Sequence, residues 1–509
     1  MPFIQINNLS FTYPTLEKTL FKDINLTISK GWCALIGPNG CGKTTLLNII
    51  ANNINYDSGS IIKSESIYLC TQENSIDIPQ LFYDPDLINS PKTIKLLGKL
   101  DIKDDWLFRW EELSGGEKKR CMIADALARE TQILLVDEPV NHLDTYSIDL
   151  LSRELKKFDG IGIVISHDLT FLDSLCDKTL MIEPNGDSNS IIYYDTSPSI
   201  ALKEREKTIE YYRREKGKEY QKLKKIKNLR AKQLENVQKS KSRLSKRNID
   251  VKDHSTKAKI DGARLTSKDK KMSKKITQMN NLIDKSTAKI QSINTINKQK
   301  TSISLTSVRD PKTLIFSLDK GKSILIEDTL TLVHPHLSLK NDSRIIIKGN
   351  NGSGKTSFLE FLTSKLNKKG KHYYYLKQSY TKEDRVKIKK QFLSFDNDKQ
   401  ADILSTVFRL GSNPKSVLLS EIPSPGETQK LLYAIAIIEK APLLVLDEPT
   451  NYLDILSIKS LIEALNEYNG AIISVTHDRY FASNVGGEIW EFIKDNNKTI
   501  VKILPTDIK

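Results

Sequence analysis

An α/β fold in two tandem copies, joined by a long basic antiparallel helical hairpin, is what three observations predict for this chain of 509 residues. A glycine-rich motif of the form GxxxxGK[ST] occurs twice, each time after a strand-like apolar run and before a helix-like one. The residues that follow it recur at a nearly constant spacing: Lys43 to Lys355 is an offset of 312, and Glu138 to Glu448 and His167 to His477 are both 310, which marks an internal duplication. Between the copies the charge changes sign. Residues 201–300 hold 31 Lys and Arg against 11 Asp and Glu, a net +20, while the whole chain carries +15, so the flanks are mildly acidic.

Composition excludes several classes. With 39% hydrophobic and 28% charged residues the chain reads as a soluble globular protein with an exposed charged element, long enough for two or three domains. No run reaches the 18 or so apolar residues of a membrane span, and residues 1–10 lack the basic start and apolar centre of a signal peptide; a cytoplasmic protein is expected. Cys33, Cys41, Cys70, Cys121 and Cys176 form no CxxC pair and no ligand-like pairing with histidine, which argues against disulfides and structural zinc. The expected domains are 1–196, a hairpin at 197–305 with its tip at about 241–255, and 306–509.

In the first copy, residues 3–9 and 24–28 alternate like strands, and the apolar run 32–36 ends in Gly37-Pro-Asn39-Gly40-Cys41-Gly42-Lys43-Thr44-Thr45, after which Leu46, Leu47, Ile49 and Ile50 begin a helix. The glycines let consecutive backbone N–H groups curl round phosphates at the helix start, with Lys43 reaching the β- and γ-phosphates and Thr44 holding Mg²⁺. A second buried-type strand, 133–136, ends in Asp137-Glu138: one carboxylate toward Mg²⁺, the next placed to orient water on the γ-phosphate. Ser166-His167-Asp168 follows another apolar strand at 161–165. Between them lies Leu113-Ser114-Gly115-Gly116-Glu117, where Ser114 and Glu117 form a capping box for a helix over 118–130 and the glycines leave backbone donors uncovered for a phosphate.

The phosphate loop together with Leu-Ser-Gly-Gly-Glu resembles the ATP-binding-cassette ATPases, in which that signature is highly specific. The resemblance implies a Mg²⁺-dependent ATP hydrolase with two ABC-type P-loop domains and with ATP and Mg²⁺ as cofactors. By it, Gln72 is the Q-loop residue that senses Mg²⁺ and the γ-phosphate, Glu138 the catalytic base, Asn141-His-Leu-Asp144 the D-loop and His167 the switch histidine; Tyr13 stands where the family stacks an aromatic on adenine. The second copy repeats the set. Gly349-Asn-Asn351-Gly352-Ser-Gly354-Lys355-Thr356-Ser357 is its phosphate loop, Gln378 its Q-loop residue, Asp447 and Glu448 its carboxylates, Asn451-Tyr-Leu-Asp454 its D-loop and His477 its switch. Thr44, Gln72 and Asp137, and likewise Thr356, Gln378 and Asp447, are the implied Mg²⁺ ligands. Leu325 lies where the offset from Tyr13 would put a second stacking aromatic.

The second signature departs from the first: Pro423-Ser424-Pro425-Gly426-Glu427 keeps the capping box of Ser424 and Glu427, but Pro425 has no N–H, so one backbone donor is lost. In the resembled family the cassettes close head to tail, so the second signature faces Lys43 and the first faces Lys355. Two unequal sites are expected.

The hairpin is read from apolar residues at helix-seam spacing: Ile209, Tyr212, Leu223, Ile226, Leu234 and Val237 on one arm, Met272, Ile276, Met279, Ile283, Ile290 and Ile293 on the other. Two cassettes joined by such a basic hairpin resemble the ABC-F family of ribosome-associated ATPases. That resemblance implies a monomer with intramolecular cassette pairing, bound to the 70S ribosome, its hairpin in the E site of the 50S subunit and its tip toward P-site tRNA and the peptidyl-transferase centre in 23S rRNA. The residues expected to touch RNA backbone are Arg213, Arg214, Lys224, Lys225, Arg230, Arg243, Lys246, Arg247, Lys252, Lys257 and Arg264. Only 41 residues separate Gln72 from Ser114, which leaves no room for the large arm of many housekeeping members. With the long hairpin and the SPG signature, this resembles the subgroup that protects ribosomes from lincosamides, pleuromutilins and streptogramin A; a non-resistance translation factor is the alternative. A transporter's ATPase subunit would share the cassette motifs but has no use for the hairpin, and neither membrane nor DNA is an expected partner.

Overall fold

The computed structural model describes residues 2–14, 19–71, 78–129, 131–141, 143–185, 188–243, 268–292, 313–326, 330–495 and 498–504. Contacts divide the chain into two compact units, Met1–Ala201 with Gln299–Lys509, and Leu202–Lys298. The first unit holds both copies of the repeat, each with its own sheet.

In the first copy five strands run parallel in the spatial order Ile67–Cys70, Ile133–Asp137, Ile161–Ile165, Gly31–Ile36 and Lys178–Asn185. Ile133–Asp137 and Ile161–Ile165 are buried at every residue because helices cover both faces, which is why they read as unbroken apolar runs rather than as alternation. Phe3–Thr12 and Thr19–Ser29 pair antiparallel at the far side, and there apolar residues alternate on either side of an irregularity between Ile6 and Leu9, with Ile4, Ile6, Leu9 and Phe11 turned inward. The helix after the phosphate loop, Lys43–Ile50, buries Leu46, Leu47, Ile49 and Ile50 against Cys33, Leu35 and Ile163 of the sheet. The second copy has the same order: Tyr374–Leu376, Leu443–Asp447, Ala471–Val475, Arg344–Gly349 and Glu488–Asp495. The matched order is the duplication in three dimensions. In both copies the phosphate loop, the carboxylates and the histidine follow the carboxyl ends of neighbouring parallel strands, the edge at which open α/β sheets bind ligands.

The copies differ before the signature. The first has the helix Pro91–Lys99 and a 3₁₀ stretch, Asp104–Glu112, packed through Trp106, Trp110, Leu113 and Cys121. The second has three helices there, Lys382–Leu393, Asn397–Arg409 and Pro414–Leu419, around Phe392, Ile403, Val407, Val417 and Leu431. All five cysteines are free and buried.

In the second unit, the long helix Pro198–Arg243 meets Lys268–Ser292. Ile209, Leu223 and Ile290 are buried and Ile226, Ile276, Met279 and Ile283 partly so, as a seam requires. Two residues expected in the seam are not in it: Tyr212 is 44% and Leu234 38% exposed. The seam position between Tyr212 and Leu223 is held instead by Glu219, buried and paired with Lys289 at 2.9 Å, so part of the seam is polar and escaped an apolar count. Arg213, Arg214, Lys224 and Lys225 are exposed and Arg230 is partly buried; Arg214 also pairs with Glu210 at 2.6 Å. Lys246, Arg247, Lys252, Lys257 and Arg264 lie outside the described residues, as do Val237's, Arg243's and Met272's side chains and Ile293. Among the described residues no helix is long and apolar enough to cross a membrane.

Candidate functional site

Each phosphate loop turns on glycines in the left-handed region: Gly40 at φ 76° and Gly42 at φ 98° in the first, Gly352 at 74° and Gly354 at 85° in the second. An L side chain is strained at these angles, so the sequence needs glycine there to aim N–H groups inward. The Lys43 ammonium donates back to the carbonyls of Gly37 at 2.9 Å and Pro38 at 3.1 Å; Lys355 does the same to Gly349 at 2.7 Å and Asn350 at 3.0 Å. Thr44 Oγ1 donates to Asp137 Oδ2 at 2.7 Å, and Thr356 bonds Asp447 in the second copy. A hydroxyl and a carboxylate converging beside a phosphate-loop lysine are the hard oxygen donors that suit Mg²⁺ completed by phosphate oxygens and water. Tyr13 Oη meets Thr45 Oγ1 at 2.8 Å and its ring lines the first cavity. Gln378 lines the second cavity; Gln72 lies outside the described residues, and so does the side chain of Leu325.

Glu138 and Glu448 each sit one residue past their strand in the left-handed region, at φ 51° and 48°. For a non-glycine residue that backbone costs about 1–3 kcal/mol and persists because the surrounding structure imposes it. Here the amide of Glu138 donates to the Ile165 carbonyl and that of Glu448 to Val475, both at 2.9 Å, which turns the carboxyl group toward the phosphate loop. His167 Nε2 lies 3.0 Å from Glu138 Oε1; His477 Nε2 lies 3.7 Å from Glu448 Oε1. Burial raises the Glu138 carboxyl to about 8, helped by Asp137, and raises Glu448 to about 8 as well. Burial and the nearby lysine push His167 and His477 down to about 4. At pH 7 each pair is therefore largely a neutral acid beside a neutral imidazole.

Raised carboxyl values tie stability to pH. The folded-state values near 8 exceed the ordinary 4.5, so the stability linked to these protons is fully present below about pH 4.5 and is lost as pH rises through about 8. Glutamine carries no such proton. Thermal melting of nucleotide-free protein is expected to show Glu138→Gln and Glu448→Gln gaining on the parent as pH rises from about 5 to about 8. A difference that stays flat with pH would contradict the assigned burial of charge.

The two copies meet across their sites. Asn39 N donates to Asp454 Oδ2 at 3.2 Å, and Asn39 Nδ2 to the Tyr452 carbonyl at 2.9 Å, which ties the first phosphate loop to the second D-loop. Around Lys43 a cavity of about 850 Å³ is completed by Ser424, Pro425, Gly426 and Glu427. Around Lys355 a cavity of about 490 Å³ is completed from the first copy by Val140, Asn141, Leu143 and His167. Ser114, Gly115, Gly116 and Glu117 are not among its lining residues, so the head-to-tail pairing expected on both sides brings a signature into the cavity on the Lys43 side only. The ties differ accordingly. On the Lys355 side Arg479 pairs with Asp149 at 2.8 Å, behind the switch histidine rather than at the loop. Both signatures do form the expected capping box: Ser114 Oγ accepts from Glu117 N and Ser424 Oγ from Glu427 N, each at 3.3 Å, with the glutamate returning to the serine amide. Asp454's reach across the interface, Lys430 and the Arg479–Asp149 pair were not legible as site features. The one available signal was that Lys430 lies one helical turn after Glu427.

The sequence matches the ABC transporter family twice, over residues 21–141 and 332–451. It is 28% identical to the ribosome protection protein VmlR of Bacillus subtilis, across 94% of this chain and 84% of that protein. It is also 28% identical to the erythromycin resistance ATP-binding protein MsrA of Staphylococcus epidermidis, across 90% of this chain and 91% of that protein. Among solved structures, the archaeal ribosome recycling factor aABCE1 in complex with the stalk protein aP1 superimposes with a TM-score of 0.61 at 16% identity, covering 97% of this chain and 89% of that one, a likeness of fold.

Proposed function

The chain belongs to the ATP-binding-cassette family, grouping with its ABC-F members as an ATP hydrolase, and from that premise we propose that it is a ribosome-protection ATPase. In this reading the hairpin enters the E site of the 70S ribosome toward P-site tRNA and the peptidyl-transferase centre of 23S rRNA. Its tip shields the 50S subunit from lincosamide, pleuromutilin and streptogramin A antibiotics. The observation that carries the proposal is a basic two-helix element inserted between two complete sets of phosphate loop, strand-end carboxylates and switch histidine. Names of relatives similar over nine-tenths of the chain support ribosome protection and antibiotic resistance.

The roles follow from the geometry. Lys43 and Lys355, already turned toward their loop carbonyls, exchange those contacts for phosphate oxygens. Mg²⁺, when bound, neutralises charge on the transferred phosphate, held by Thr44 and Asp137 at one site and by Thr356, Gln378 and Asp447 at the other. Glu138 and Glu448 orient the attacking water; the His167 ring stands 3.0 Å from the Glu138 carboxyl, and the His477 amide donates to Glu448 Oε2 at 3.3 Å, which keeps both carboxyl groups in place. The proton that burial keeps on each glutamate must leave before it acts as a base.

The shaft of the hairpin tests ribosome binding. Replacing Arg213 with Arg214, or Lys224 with Lys225, by alanine in pairs is expected to weaken cosedimentation with 70S ribosomes. The plot of log affinity against log salt should flatten by about 0.7–0.9 for each RNA phosphate that is no longer neutralised. Unchanged affinity and slope in both pairs would remove the hairpin from the interface. A protein that binds ribosomes but gives a sensitive host no drug protection would instead be a translation factor without a resistance role.

A further inference from the structure

The signature helix of the second copy, Pro425–Ile438, carries Lys430 one turn past its capping box, and this side chain is only 4% exposed. It lines the same cavity as Lys43, Thr44, Ser424 and Gly426, and its Nζ lies 3.8 Å from where a β-carbon on Gly411 would stand, another lining residue. A buried ammonium offers three donors and needs acceptors. Its carboxylate neighbours are Asp454 and Glu427, which attract it electrostatically while accepting hydrogen bonds from other groups. Asp454 accepts from Ser457 N at 2.9 Å and from Asn39 N at 3.2 Å; Glu427 serves the capping box and also accepts from Ser416 Oγ. Among the described residues no hydrogen bond or salt bridge fixes the Lys430 ammonium, and burial holds its pKa below the usual lysine value.

The first copy treats the equivalent residue differently. Arg120 stands 310 residues earlier, the offset of the repeat. Its Nη1 donates to the carbonyls of Leu100 at 3.0 Å and Asp101 at 3.3 Å, and its guanidinium stacks on Trp106 at 4.8 Å. It is bound into its own domain and does not line the Lys355 cavity. The cation without a recorded hydrogen bond among the described residues thus occurs on the side where Pro425 has removed a backbone donor, and the hydrogen-bonded one where Gly115 retains it.

We propose that Lys430 is a further nucleotide-binding residue of the Lys43 site, its ammonium bonding the terminal phosphate of ATP from across the interface in place of the N–H that Pro425 lacks. This rests on the reading of that cavity as an ATP site. A contact to the γ-phosphate separates ATP from ADP, because ADP reaches only the first copy's own loop. Lys430 acts as a discriminator between them.

The test isolates the site. In full-length protein carrying Glu138→Gln to stop turnover and Lys355→Ala to silence the other loop, ATP and ADP affinities are measured by equilibrium dialysis. Lys430→Gln is expected to weaken ATP by about ten- to a hundredfold, the loss of one hydrogen bond to a charged group, while ADP stays within about twofold. Lys430→Arg should keep most of the ATP affinity, and Pro425→Gly added to Lys430→Gln should recover part of it, which a merely structural lysine would not predict. Lys430→Met, which keeps the apolar stem, gives the same readings if the glutamine variant melts early. Equal losses for ATP and ADP, or none, overturn the proposal. Lys43→Ala separates the two failures: if it too leaves ATP binding intact, the cavity is not a nucleotide site; if it abolishes binding while Lys430 variants do nothing, only the role of Lys430 falls.

Discussion

Replacing Glu138 and Glu448 together by glutamine is expected to leave ATP bound and turnover lost. The amide matches the carboxyl in shape, and burial already holds both acids largely neutral at pH 7, so the resting fold is undisturbed by the exchange. What disappears is the ability to take a proton from water, a contribution of about 10²- to 10⁴-fold to a catalysed step. Lys43, Lys355, Thr44 and Thr356 are untouched, so nucleotide affinity should stay near that of the parent. On the proposed function the doubly substituted protein accumulates on 70S ribosomes with ATP and is released slowly. Steady-state phosphate release and ribosome pelleting are the two measurements. Near-normal hydrolysis would remove the base assignment; lost hydrolysis without accumulation on ribosomes would remove the ribosomal reading.

Deleting residues 242–250 is the second large effect. These residues are a small share of the hairpin's charge, so the shaft's lysines and arginines should keep much of the ribosome affinity, and both phosphate sites are built from other segments. Drug protection is expected to disappear, because on this reading the tip alone reaches the peptidyl-transferase centre. The concentrations of a lincosamide, a pleuromutilin and a streptogramin A that stop a sensitive host should fall to those of cells lacking the protein, with ATPase activity unchanged. Equal protection by shortened and intact chains would make the hairpin an anchor and place the mechanism elsewhere.

The parts of the site that lie along one segment were legible, because a strand followed by glycines, a lysine and a hydroxyl has its geometry fixed locally. The capping boxes of Ser114 with Glu117 and Ser424 with Glu427 belong to the same class: four residues determine them. What required coordinates was contact at a distance along the chain. Asn39 and Asp454 are 415 residues apart, and nothing in either neighbourhood announces that they touch. The same holds for Arg479 with Asp149. Lys430 and Arg120 share a position in the repeat yet end in different surroundings, since Trp106 and the Leu100 carbonyl hold one while the other stands near Asp454 and Glu427 at the cavity. In the hairpin the apolar count failed at Tyr212 and at Glu219, because a charged residue with a partner on the facing helix occupies a seam as well as a hydrophobe does.

Glu117 and Glu427 turn back to serve the amides of Ser114 and Ser424, so their carboxylates are spent on the helix starts, and what each signature offers outward is mostly main chain. The phosphate loops are alike in this, with Gly40, Gly42, Gly352 and Gly354 presenting peptide groups. Truncating the side chains around such a surface leaves its N–H groups in place, and a substitution at one of the loop glycines reports backbone strain rather than a lost donor. Such a surface is rewritten only by residues that alter the peptide itself. Proline at position 425 is an alteration of that sort, a deletion of one hydrogen that leaves the helix standing.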